Sequence, residues 1–155
     1  MPAEQQLDQV VKSVVIRAPR SRVWNALTKM EHFSKWFRVT SSDEFTAGTR
    51  VNMRSTYPGY EHIDFWVDVV EVEAERRFAW RWIPGDPKDG PMDPNDRPTL
   101  VVFELEDVAG GTKVTVTETE FNNISVVRRA KALKSNTEGW KVQVENLRNY
   151  VEQAT

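Results

Sequence analysis

The chain contains no cysteine. That removes disulfides, thiolate metal sites and thiol nucleophiles together, and it is compatible with a reducing compartment. Only two histidines occur, His32 and His62. They are far apart and carry no HExxH-type spacing, so a built-in transition metal is not expected. Walker, dinucleotide-glycine and nucleophile-elbow patterns are missing as well, and no cofactor is expected. Charge of one sign is also lacking: 21 basic and 23 acidic residues leave a formal charge of −2, with no stretch where Lys and Arg cluster on one face in the way a phosphate-tracking surface needs. Nucleic acid is therefore not an expected partner. No apolar run approaches the roughly 18 residues that span a bilayer, and Met1 to Gln9 lacks the basic start and apolar stretch of a secretory signal. The expectation is a cytoplasmic protein without membrane insertion.

What is abundant is aromatic surface: six Trp and seven Phe in 155 residues. Such side chains are large, stiff and mostly apolar, so either the core is aromatic or a cavity is lined. The length suits one domain with a core of its own, expected over residues 10–153 after a polar tail at 1–9.

Periodicity places the elements. Val10 to Arg17 is a β-branched strand that Ala18-Pro19 ends. Val23, Trp24, Leu27 and Met30 then recur at helical spacing, and a second short helix follows through Phe33, Trp36 and Phe37. After Gly48, Val51 and Met53 alternate with polar residues up to the Tyr57-Pro58-Gly59 turn. From His62 to Val72 the parity changes. Ile63, Phe65, Val67 and Val69 share one face, yet Val70 and Val72 are the apolar residues beyond, which predicts a β-bulge near Val69 and Val70. Phe78, Trp80 and Trp82 form an aromatic row on the next strand. Pro84 to Pro98 holds five prolines, two glycines and four aspartates and reads as a long loop, either a lid or a variable insertion. Its aspartates do not match the EF-hand spacing.

Leu100 to Leu105 and Thr112 to Phe121 are strands around Gly110-Gly111, with a connection longer than the tightest hairpin turns. Ile124 to Leu133 shows no clear regularity. Ser135 with Glu138 reads as a capping box that opens an amphipathic helix carrying Trp140, Val144, Leu147 and Val151, about 18 residues and roughly 27 Å long. The predicted fold class is α+β: a curved antiparallel sheet wrapped around a long C-terminal helix, with two short helices after the first strand. A bulged, twisted sheet curls, and the expectation is that its apolar face and the helix meet across unfilled volume.

Several runs also resemble a known family. They are Ala18-Pro19 through Val23-Trp24-Asn25-Ala26-Leu27-Thr28 to Trp36-Phe37; Val69-Val70-Glu71-Val72 before Arg77-Phe78; Val114-Thr115-Val116-Thr117; and Glu138-Gly139-Trp140 with Leu147 and Tyr150. In this order they resemble the START-like (SRPBCC) superfamily, in the branch named for the activator of the ninety-kilodalton heat-shock protein's ATPase. The resemblance implies a helix-grip fold with an apolar cavity between sheet and C-terminal helix. It does not imply a single activity, because the superfamily includes lipid and hormone carriers, polyketide cyclases and aromatases. A chaperone as protein partner is a further implication of the resemblance.

Ten residues form the candidate ligand-binding set: Trp36, Phe37, Met53, Phe65, Trp80, Trp82, Phe103, Glu118, Trp140 and Val144. The expected partner is a small hydrophobic molecule, aromatic or lipid-like, because ligand sites are mostly apolar with few polar groups. Each aromatic side chain also has a plain reading as core. Glu118 has two open placements. It shares the face of Val114 and Val116 and so points inward, or the strand has already left the core and Glu118 sits in solvent beside Glu120. Inside, burial would favour its neutral form unless a cation or several donors held it charged, and it could orient a ligand or serve a cyclase, aromatase or hydrolase as acid or base. His62 and Asp64 fall on the solvent face of their strand. Arg128, Arg129, Lys131 and Lys134 read as a solvated basic face that could steer an acidic partner.

Overall fold

The computed structural model describes residues 8–85 and 93–153. Its elements are β1 (Val10–Ile16), α1 (Arg20–Thr28), α2 (Met30–Phe37), β2 (Val39–Thr40), β3 (Arg50–Ser55), β4 (Asp64–Glu73), β5 (Arg77–Trp82), β6 (Thr99–Val108), β7 (Gly111–Thr119), a 3-10 turn (Phe121–Asn123) and α3 (Val126–Gln153). The strands form one antiparallel sheet in the order β1-β7-β6-β5-β4-β3-β2. The sheet is curved and open, and the α+β architecture is the expected one. Among the described residues no helix is long and apolar enough to cross a membrane.

Local chemistry explains the breaks. Pro19 sits extended at the start of α1, where its missing N–H costs nothing. Lys29 is extended and separates α1 from α2. The bulge lies where the parity change predicts it: Val69 pairs with Trp80 and Glu71 with Ala79, leaving Val70 unpaired. Val70 and Val72 nevertheless remain 49% and 38% exposed, so the bulge bends the strand without carrying them into the core.

Two boundaries differ from expectation in the last hairpin. Val108 pairs with Gly111, so the connection is the two-residue Ala109-Gly110 turn, tighter than predicted, with Gly110 at φ 87°. A Cβ on Gly111 would stand 2.0 Å from the carbonyl oxygen of Ile16, which restricts that position to glycine. At its other end β7 stops at Thr119. Glu120 adopts a left-handed φ of 70°, and Phe121 enters the 3-10 turn instead of extending the strand.

The larger correction concerns α3. It begins at Val126 rather than Ser135 and runs for 28 residues, about 42 Å at ~1.5 Å per residue. Ser135 and Glu138 thus lie inside the helix. Its start is fixed by distant partners: Asp96 Oδ1 accepts the Ser125 N–H at 2.7 Å, and Asp96 Oδ2 accepts from Arg128 Nε at 2.8 Å. Arg128 Nη2 also donates to the Pro84 carbonyl at 2.9 Å. The Arg128 and Asp96 side chains are only 8% and 0% exposed, so Arg128 leaves the predicted solvated face and clasps both ends of the Pro84–Pro98 loop to the helix. Asp86 and Asp89, expected in that loop, lie outside the described residues.

The concave face of the sheet and one stripe of α3 (Trp140, Val144, Leu147, Val151) are buried together with α1 and α2. Trp80 is at the centre, with ring centroids of Phe103, Trp82, Phe78 and Phe33 at 5.2, 5.4, 5.5 and 5.9 Å. At these separations the rings touch, edge to face or tilted. The volume expected between sheet and helix is therefore largely filled by the aromatic side chains themselves.

Candidate functional site

Period-two alternation along β7 turns Thr112, Val114, Val116 and Glu118 to the buried face. Glu118 lies opposite Val10 on β1 and Val101 on β6, both buried. It is 0% exposed, which settles its placement. No cation meets it. Instead Oε1 accepts from Asn136 Nδ2 at 2.7 Å and Trp140 Nε1 at 2.8 Å, while Oε2 accepts from Thr99 Oγ1 at 2.6 Å and Trp82 Nε1 at 2.9 Å. An indole nitrogen and an amide NH2 can only donate, so the cage fits a carboxylate, which only accepts. A carboxylate offers about four lone-pair directions, and four donors use them.

Beside this cage lies a small cavity of about 130 Å³, open to solvent on one side and lined by Phe37, Trp82, Asn136, Gly139, Trp140 and Gln143. Its helical wall is the 136-139-140-143 stripe of α3, spaced i, i+3, i+4 and i+7 so that all four share a face. Its opposite wall is Phe37 at the end of α2 and Trp82 at the end of β5. The Trp82 and Trp140 rings are 5.7 Å apart and inclined at 33°, which leaves a wedge between them and Phe37. Among the described residues, no charged side chain lines the cavity.

The ten predicted residues do not surround one volume. Phe37, Trp82 and Trp140 line the cavity, and Glu118 stands behind it, bonded to both indoles. Trp80 and Phe103 are fully enclosed in the aromatic core, and Val144 is buried one helical turn beyond Trp140. Trp36 packs between the short helices, its Nε1 donating to the Ala26 carbonyl at 2.8 Å. Met53 and Phe65 are cross-strand partners at a separate cleft of about 440 Å³, which they share with Thr40, Ser41, Asn52 and Arg54. His62 and Asp64 are exposed, and Asp64 pairs with Arg54 at 2.7 Å.

Four contributors are absent from the predicted set: Thr99, Asn136, Gly139 and Gln143. Asn136 and Gln143 could have been found from the helical stripe of Trp140, had polar residues on it been considered. Thr99 required the hairpin register, because only the two-residue turn puts it diagonally across from Glu118 on the same face.

The family described as Activator of Hsp90 ATPase homolog 1-like protein matches residues 17–152. No curated protein sequence matches the chain. Among solved structures, protein MLL2253 of Mesorhizobium loti has a TM-score of 0.75 at 20% identity, over 95% of this chain and 98% of that one. DynU16, from the dynemicin biosynthetic locus, gives 0.72 at 25% identity, over 94% of this chain and 47% of its own. The Aha1 dimer of Colwellia psychrerythraea gives 0.70 at 18% identity, over 93% and 96%. These likenesses concern the fold.

Proposed function

The chain belongs to the Activator of Hsp90 ATPase homolog 1-like family, and from that premise we propose that it binds a small, uncharged, largely apolar ligand between α3 and the sheet. The observation that carries this reading is the cavity of about 130 Å³ walled by Phe37, Trp82 and Trp140. An apolar cavity of roughly 150 Å³ is enough to hold benzene. The volume is of the order of one ring, and because the cleft is open on one side the part of a guest seated between the rings is what this size describes. Gly139 supports the same reading. It sits mid-helix on the cavity stripe, where glycine costs a helix about 1 kcal/mol relative to alanine, yet a Cβ there would meet nothing within 4 Å. Packing does not demand this glycine, whereas access to the cavity would.

In this reading Glu118 positions the indole walls. An acid–base role in a cyclase, aromatase or hydrolase is less favoured, because all its lone-pair directions are occupied by protein donors. The test is a titration with small neutral aromatics, followed through the indole N–H resonances of Trp82 and Trp140 and through the thermal midpoint. Gly139→Leu, which fills the stripe without touching the Glu118 cage, is expected to stay folded and lose binding. Unchanged indole signals across the panel, or undiminished binding by Gly139→Leu, would overturn the proposal.

A second reading has its own observation. Val126 and Val127 are 78% and 89% exposed at the head of α3, beside an open cleft of about 520 Å³ that includes Ala130 and Leu133. Exposed apolar surface of this kind suits a protein partner, a chaperone among them. Stimulation of a chaperone ATPase by the wild type, lost in Val127→Asp, would support this reading, and no stimulation would end it.

A further inference from the structure

We infer that the ligand class at the α3 cavity is a single aromatic ring bearing a hydrogen-bond donor, a phenol above all, and that Asn136 Oδ1 receives that donor. This inference rests on the binding site proposed above and goes further by naming the guest's chemistry.

The argument is one of leftover hydrogen-bonding capacity. Both indole N–H groups at the cavity are committed to Glu118, Trp140 to Oε1 and Trp82 to Oε2. Asn136 Nδ2 is committed there as well, at 2.7 Å. Gln143 Oε1 accepts from Asn146 Nδ2 at 3.1 Å. Among the described residues, the lining side chains carry no printed bond on the amide oxygen Asn136 Oδ1 and the amide nitrogen Gln143 Nε2, while Asn136 Nδ2 keeps a second N–H and Gln143 Oε1 a second lone pair, so Asn136 Oδ1 is the unused acceptor nearest the Glu118 cage.

Asn136 Oδ1 is a strong acceptor for its type. The other end of the same amide donates to a buried carboxylate, and a hydrogen bond that pulls on the N–H pushes electron density onto the carbonyl oxygen. A guest placed between Trp82, Trp140 and Phe37 therefore meets a polarised acceptor at one edge of an otherwise apolar slot. The same carboxylate argues against anionic guests, since it stands immediately behind the wall and, among the described residues, no cation lines the cavity. A neutral ring with an O–H or N–H satisfies both conditions. Gln143 Nε2, two turns further along α3, remains to donate to an acceptor on the far side of the ring.

The discriminating experiment compares p-cresol with p-xylene, which has a methyl group in place of the hydroxyl and nearly the same shape. Binding of each to the wild-type protein is followed by the Trp82 and Trp140 indole N–H and Asn136 side-chain amide resonances. A purely apolar slot would reject the phenol on the order of tenfold or more, because its hydroxyl would be desolvated without a partner. A slot that supplies Asn136 Oδ1 is expected to bind p-cresol more tightly than p-xylene, about tenfold if one good hydrogen bond is made. Asn136→Leu is expected to reverse the order; the wild-type comparison decides on its own if that variant does not fold. Tighter binding of p-xylene at the same indoles would overturn the phenol assignment and leave the site standing. Failure of both compounds to move those resonances would overturn the assignment together with the site.

Discussion

Replacing Glu118 by glutamine changes two atoms' hydrogen-bonding sense and almost nothing in shape, so its effect is calculable from the cage. The amide can keep its oxygen toward Asn136 and Trp140 and turn its NH2 toward Thr99 and Trp82, or do the reverse. The reverse sets NH2 against two donor-only groups. The first orientation is cheaper, because the Thr99 hydroxyl can turn its proton to the Trp82 carbonyl, 3.3 Å away, and accept from the new NH2. That leaves one part-buried indole N–H, on Trp82, without an acceptor. An orphaned buried donor costs about 1–3 kcal/mol, and the remaining bonds fall from charge-assisted to neutral strength. Removal of a charge from the interior offsets part of this. The expected net loss is about 2 kcal/mol, or roughly 4–8 °C in midpoint for a domain of this size.

Urea denaturation of Glu118→Gln measures the loss. Thr99→Val in the same background removes the hydroxyl that softens it, so the pair should be non-additive by about 0.5 kcal/mol or more. A Glu118→Gln protein as stable as wild type, or additivity with Thr99→Val, would refute the four-donor cage.

Three other outcomes are expected. Arg128→Met strands the Asp96 carboxylate in the interior and should destabilise by about 3–5 kcal/mol in denaturant titration, with Asp96→Asn in the same chain recovering much of it. Gly139→Ala should raise stability by about 0.5–1 kcal/mol in the same assay, since its Cβ meets nothing and the helix gains propensity. The Asp64 and Asp68 carboxyls are held below their usual range by hydrogen bonds from Arg54 and Arg50, so their contribution is complete above about pH 4 and is lost as pH falls through their lowered folded values. Arg50→Met with Arg54→Met should flatten the acid limb of the stability profile measured by denaturant midpoint against pH.

The features legible in the sequence were those that a single strand or helix encodes alone. Parity along Ile63 to Val72 is local, and it located the bulge at Val70. Alternation along β7 is local too, and it offered the inward placement of Glu118. The spacing of Trp140, Val144, Leu147 and Val151 marked the buried stripe of α3. What escaped depends on partners distant in the chain. Val126 and Val127 are β-branched and exposed, so nothing in their own pattern marks a helix start; Asp96 fixes it through Ser125 and Arg128. Whether aromatic faces enclose space or fill it depends on the sum of their volumes after folding. Strand periodicity carries no information on that sum, and so Trp80 and Phe103 could not be told apart from Trp82.

The stability of the cage and the existence of the cavity share one cause. Indole rings beside a void are drawn to collapse into it, because every uncontacted face forgoes dispersion energy. Trp82 and Trp140 are prevented from closing face to face because each N–H is tied to a different oxygen of the same carboxylate, at 2.9 and 2.8 Å. A rigid planar group of fixed bite thus sets the position and tilt of two walls that come from opposite layers of the fold. Without the carboxylate, the wedge beside Phe37 has nothing to hold it open. Glu118, a fully buried carboxylate, sets the wall geometry on which the proposed binding depends, so variants of Glu118 should lose stability and binding together, whereas Gly139→Leu should lose binding alone.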